Sequence, residues 1–223
     1  MPAAQDRRRV PRGRRPALRA LWSGALVLAL AVGVPALERT GLVDGTGVAS
    51  AEPRHYPTPG FESAGAPLGR PDPVASPSAS WSAEERGADG EPARWDPCRP
   101  VHHVVNPAGM PPGGEEVLAS ALERVSRATG LRFVLDGTTD ETDRATPYDP
   151  QRWGDRWAPA LLRWDLSEER AVWLHELAHT VGLGHVEDAE QLMNPELTEV
   201  AGFAAGDLTG LAALGTGPCL GEV

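Results

Sequence analysis

Residues 175–185 read HELAHTVGLGH. His175 and His179 stand four apart, so a helix here presents both imidazoles on one face, spaced for a single tetrahedral ion. Glu176 follows His175 and is angled toward the side of such an ion left open, where a carboxylate can take a proton from an attacking water. Gly182 falls where the helix must stop. A glycine there can turn left-handed and reverse the chain, which returns His185 as a third ligand. Three neutral imidazoles and one open position describe a catalytic Zn2+ site, whereas structural zinc sites are usually closed by four protein ligands.

Several elements have to position these groups. Ser167 is a good helix N-cap, and Glu168 and Glu169 place negative charge in the first turn, so the spacing predicts a helix through Ala171–Val181. Upstream, Val101–Asn106 (VHHVVN) is a β-branched run and reads as a strand. Val117, Leu118, Ala121, Leu122, Val125 and Ala128 recur at threes and fours, which marks an amphipathic helix over Glu115–Thr129 that ends at Gly130. Leu131–Leu135 and Ala160–Trp164 are further short strands, separated by a polar, loop-like stretch from Thr138 to Ala158 that Trp153 and Trp157 pack down. A last helix is expected over Asp207–Leu214. His102 and His103 alternate across a strand and read as ordinary strand residues. The fold class is therefore α/β (α+β): a small domain with few strands, an active-site helix and a C-terminal helix.

The five positions His175, Glu176, His179, Gly182 and His185 form H-E-x-x-H-x-x-G-x-x-H, and Met193 follows in Leu192-Met193-Asn194-Pro195. This combination resembles the metzincin zinc metallopeptidases, most nearly the matrixin branch. The resemblance covers roughly Trp95 to Cys219. It implies a twisted sheet over the active-site helix, with a cleft beneath and Met193 in a turn below the metal. It also implies hydrolysis of peptide bonds in a protein or peptide substrate, with Zn2+ as cofactor and Glu176 as general base. The sequence departs from that pattern in three ways. Trp164 runs almost directly into Ser167, so the upper sheet is shortened and its cleft-lining strand is short or missing. Asn194 stands where many relatives have tyrosine. No cysteine precedes Cys98, so a propeptide cysteine cannot cap the metal.

The 223 residues carry 21 basic groups, all arginine, against 31 acids. Seven of the arginines fall within the first nineteen residues, so the remainder holds 14 against 30 acids. An acidic body of that kind excludes a nucleic-acid partner, which would need a basic face. Ala20 to Leu37 runs without a charge behind the arginine cluster. Residues 1–37 thus read as an export signal or a single-pass anchor, the only membrane association expected. Residues 38–94, rich in Ala, Pro, Gly and Ser, show no periodicity and read as a disordered linker. Residues 95–223 are the folded domain, placed outside the cytoplasm, secreted or anchored. Cys98 and Cys219 flank that domain, and in an exported chain they are expected to form a disulfide. Nothing in the sequence fixes the oligomeric state.

Overall fold

A computed structural model of the chain describes residues 56–144, 146–164, 170–196 and 199–220. Their elements in chain order are β1 (Ser82–Ala83), β2 (Val101–Asn106), α1 (Gly114–Thr129), β3 (Phe133–Thr138), α2 (Pro150–Trp153), β4 (Ala160–Arg163), α3 (Arg170–Thr180), β5 (Leu183–Gly184) and α4 (Ala205–Leu214). This is a small α/β domain. The apolar run at residues 20–37 and the proposed cap Ser167 with Glu168 and Glu169 lie outside the described residues. Among those described, no helix is long and apolar enough to cross a membrane.

The main sheet has the order β3-β2-β4, with both neighbours parallel to β2. A parallel sheet requires both its faces covered, and β2 in its centre is accordingly the most buried strand, with Val101, His103, Val104, Val105 and Asn106 all buried. α1 lays Leu118, Ala121, Val125 and Ala128 into the core along one stripe and ends at Gly130, whose amide caps the Ser126 carbonyl. The last turn also holds Thr129, whose hydroxyl bonds back to the Val125 carbonyl.

α3 divides its faces sharply. Trp173, Leu174, Leu177 and Ala178 are buried, while His175, Glu176, His179 and Thr180 share the other side. Each buried leucine on this helix contributes about 1.5–3 kcal/mol from burial alone, which fixes the helix's rotation and therefore the direction of the histidines. Trp164 lies against Trp173 with ring centroids 4.9 Å apart, joining the end of β4 to the start of α3.

Three expectations change. The second strand begins at Phe133 rather than Leu131, because Leu131 is wholly buried beneath the end of α1 and its amide is taken by the Thr129 hydroxyl. The polar stretch 138–158 contains the short helix α2, capped by the Asp149 side chain, with Arg144 and Arg152 over the Trp153 ring and Trp157 edge-on to Tyr148.

The largest correction concerns residues 56–94, read from composition as part of a disordered linker. They form a strap laid over the domain. Ala64 and Leu68 donate to the carbonyls of Cys98 and Pro97, and Asp72 donates to the Arg127 carbonyl. Ser78 donates to the Thr209 hydroxyl, and β1 pairs antiparallel with β5. These anchoring residues have different partners elsewhere in the chain, so no period arises in the sequence. The strap is ordered by those distant partners and not by its own composition.

The disulfide between Cys98 and Cys219 forms as expected, spanning 121 residues with Cα atoms 5.3 Å apart. Asp96 braces it from the side: one carboxylate oxygen accepts from the Cys98 amide and the other from the Leu220 amide.

Candidate metal centre

Two of the three histidines come from one turn of α3 and the third from the segment behind it. At the end of α3 the chain passes through Gly182, with φ of 98°, a conformation that L side chains rarely adopt. A side chain there would also press on the Ala93 carbonyl at 3.3 Å. The reversal leads through β5 to His185.

The outcome is a triangle of ring nitrogens. His175 Nε2 lies 3.0 Å from His185 Nε2, and His179 Nε2 lies 3.1 Å from each of the other two. Tetrahedral ligands about 2.0–2.1 Å from one ion stand roughly 3.3–3.4 Å apart, so the spacing fits a single small cation with little adjustment.

The outer nitrogens fix which ring atoms face inward. His175 Nδ1 donates to the Leu192 carbonyl at 2.9 Å, and His179 Nδ1 donates to the Leu183 carbonyl at 2.8 Å. A carbonyl accepts only, so both protons reside on Nδ1 and both Nε2 atoms turn lone pairs toward the centre. Lone pairs converging at such distances repel unless a cation or a proton lies among them, and one proton serves only one pair. A cation serves all three.

Electrostatics favour the neutral ligand state. Burial, helped by His175 and His185, pushes His179 down to about 4, and burial with His175 lowers His185 as well. Neutral imidazole is the form that ligates. Glu176 is half-buried on the same face of α3, and burial raises its carboxyl above the usual range while His175 opposes the shift. The other group of possible ligand atoms, Asp96 with Cys98 and Cys219, has its two sulfurs spent in the disulfide.

Met193 is buried, and its turn is wired to both neighbours. The Met193 carbonyl accepts from the Val186 amide, one residue after the third histidine, and the Asn194 side chain reaches the Val186 carbonyl. Behind the turn lies Asp207, wholly buried in the first turn of α4. Its carboxylate accepts from the amides of Leu192, Met193 and Ala204. Gln191 answers from the opposite side, its side-chain oxygen accepting from the amides of Gly206 and Asp207.

Sequence reasoning placed His175, Glu176, His179, Gly182, His185 and Met193 at this centre, and the structure brings the three histidines together there. It missed Asp207 and Gln191. The last helix was expected to begin at Asp207, whereas α4 begins at Ala205, so the acid stands at the third helical position, where its carboxylate reaches the Ala204 amide and the Leu192 turn. His102 is also more than a plain strand residue. Its Nδ1 meets Asp136 at 2.7 Å, and Arg156 joins the two, holding the 139–158 segment to the sheet.

Compared with models of known protein families and with curated proteins, the chain matches no family model and no curated relative.

Proposed function

We propose that the domain is a zinc-dependent endopeptidase of the metzincin type, acting outside the cytoplasm on protein or peptide substrates. The observation that carries this reading is the convergence of three imidazole Nε2 atoms within 3.1 Å, their Nδ1 protons on His175 and His179 committed to carbonyls, with Glu176 on the same helix face. His175, His179 and His185 are the ligands. Three nitrogen donors and an adjacent carboxylate suit zinc, which takes imidazole readily and leaves a fourth position open for chemistry. The ion, when bound, supplies a Lewis acid at which water and a substrate carbonyl are activated.

Glu176 does the proton work. A carboxyl raised by burial is a stronger base than an exposed one, and it receives the water's proton as the carbonyl is attacked. The same carboxyl then returns that proton to the leaving amine. Export is supported by the arginine cluster ahead of the apolar run at Ala20–Leu37 and by the disulfide, since such bonds persist in oxidising compartments.

A second reading has one observation in its favour. The main sheet has only three strands among the described residues and ends at β4, which leaves a short edge to hold an extended peptide. On that reading the domain is a zinc-holding surface module without turnover. One experiment separates the two: incubate the purified full chain with a mixed protein substrate, with zinc and with a chelator, beside Glu176→Ala. Chelator-sensitive cleavage that the variant lacks supports the peptidase. A zinc-loaded chain with no cleavage favours the module.

A further inference from the structure

The segment that holds the third ligand is gripped by the strap. β1 pairs with β5 in the register Ser82 to Gly184 and Ala83 to Leu183. The Ser82 hydroxyl donates to the carbonyl of His185 at 2.7 Å, and the Glu84 amide donates to the carbonyl of Gly182 at 2.8 Å. The Glu84 carboxylate stands 3.4 Å from Nδ1 of His179, on the side of the ring away from the other histidines. Trp95 ties the end of α3 with a 2.9 Å bond from its ring nitrogen to the Thr180 carbonyl. From Thr180 to His185, five of six residues are thus held by residues that precede β2.

That grip is close. A methyl group on Gly184 would meet the Ser82 hydroxyl at 2.8 Å and the Ala83 backbone at 3.1 Å. The segment Gly182-Leu183-Gly184 has two glycines in three residues, so left alone it would be free to wander and His185 with it. A hydrogen-bonded strand removes that freedom before any ion arrives.

Resting on the reading that His175, His179 and His185 hold zinc, we propose that Ser82 and Glu84 are positioning residues of the metal centre. Ser82 fixes the backbone of His185. Glu84 fixes the backbone at Gly182 and adds a negative charge beside the outer nitrogen of His179, whose proton the Leu183 carbonyl accepts, and that charge favours the imidazole as a ligand. The strap is therefore an integral part of the metal site and not a tether for it.

The test is zinc affinity, measured on the full chain by competition with a chromophoric chelator. Parent, Ser82→Ala, Glu84→Gln and Glu84→Pro are compared, each with its metal-free Tm. Ser82→Ala and Glu84→Gln should each weaken zinc binding on the order of tenfold, within the ~10–100-fold range for outer partners of ligands, while the metal-free Tm stays near the parent's. Glu84→Pro, which also removes the amide bonded to Gly182, should weaken binding further. Parent-like affinity in Ser82→Ala and Glu84→Gln overturns the proposal, even if Glu84→Pro fails to fold. So does a loss of affinity in those two variants that comes with a matching fall in metal-free Tm, which would mark general destabilisation. A parent that binds no zinc instead brings down the metal reading itself, and the proposal with it.

Discussion

Asp207 and His175 never touch, yet one residue joins them: the Leu192 amide donates to Asp207 at 2.8 Å and the Leu192 carbonyl accepts from His175 Nδ1 at 2.9 Å. A ligand's orientation therefore depends on a carboxylate in the first turn of another helix. Asp207→Asn keeps the shape but turns one oxygen into a donor, and both oxygens now accept from amides. At least one buried amide would be left unpaired, at a cost of about 1–3 kcal/mol. The variant should unfold at lower denaturant and bind zinc about tenfold more weakly. Denaturant titration with chelator competition checks both.

His185 is the exposed member of the triangle, and its removal should leave a folded protein. His185→Ala keeps two ligands on α3, too few for a tight site, so zinc content after dialysis should fall to near zero. A variant that retains one equivalent would mean that the third ligand lies elsewhere.

Glu176 separates binding from chemistry. In Glu176→Gln the ligands are untouched, so zinc content should match the parent's, while peptide hydrolysis should fall about 10²-fold or more, as for loss of a general base. Metal analysis and turnover on the same preparation decide this, since parallel loss of both would make the residue structural.

The disulfide closes a loop across nearly the whole domain. Chain-entropy arguments assign about 5 kcal/mol to a loop of this length, and a domain of this size typically has only about 5–15 kcal/mol in total. Reduction without alkylation should therefore lower Tm markedly, and zinc should raise the Tm of the oxidised and reduced forms alike, because a ligand of the native state adds its own stabilisation. A thermal scan with and without reductant, at fixed zinc, reads this out.

Substrate length offers a test of the short sheet. Peptides gain affinity and rate from main-chain pairing along a cleft strand, and β4 is the sheet's margin among the described residues. Values of kcat/KM for peptides lengthened one residue at a time on that side should rise little. A steep rise over three or four residues would reveal a pairing edge that the shortened sheet does not account for.

Much of the site was legible because its spacing is local. His175 and His179 are set by helical geometry, and Gly182 by the need to reverse, so three positions in eleven residues already imply convergence. The same holds for α1 and β2, whose apolar periods are strong and whose bounds in the structure agree to within one residue. β3 starts two residues and ends three residues later than read, because an apolar run cannot say where burial beneath a helix ends and pairing begins. The strap was invisible for a different reason. Ser78, Ser82 and Glu84 are held by Thr209, His185 and Gly182, partners roughly a hundred or more residues away, and such pairings leave no local pattern. Asp207 falls between these cases: it was read as the start of the last helix, two residues late, and its partners leave no local pattern.

The strap and α4 also impose an order of events. β1 comes early in the chain and Asp207 late, and the histidines lie between them, His185 bonded to Ser82 of β1 and His175 linked to Asp207 through Leu192. As the chain emerges in sequence, His175, His179 and His185 appear well before the helix that orients the Leu192 turn, and Cys219 later still. Domains generally fold as units, so a nascent chain that stops short of α4 carries all three histidines without the framework that aims them. On the reading proposed above, tight metal capture must then follow completion of α4.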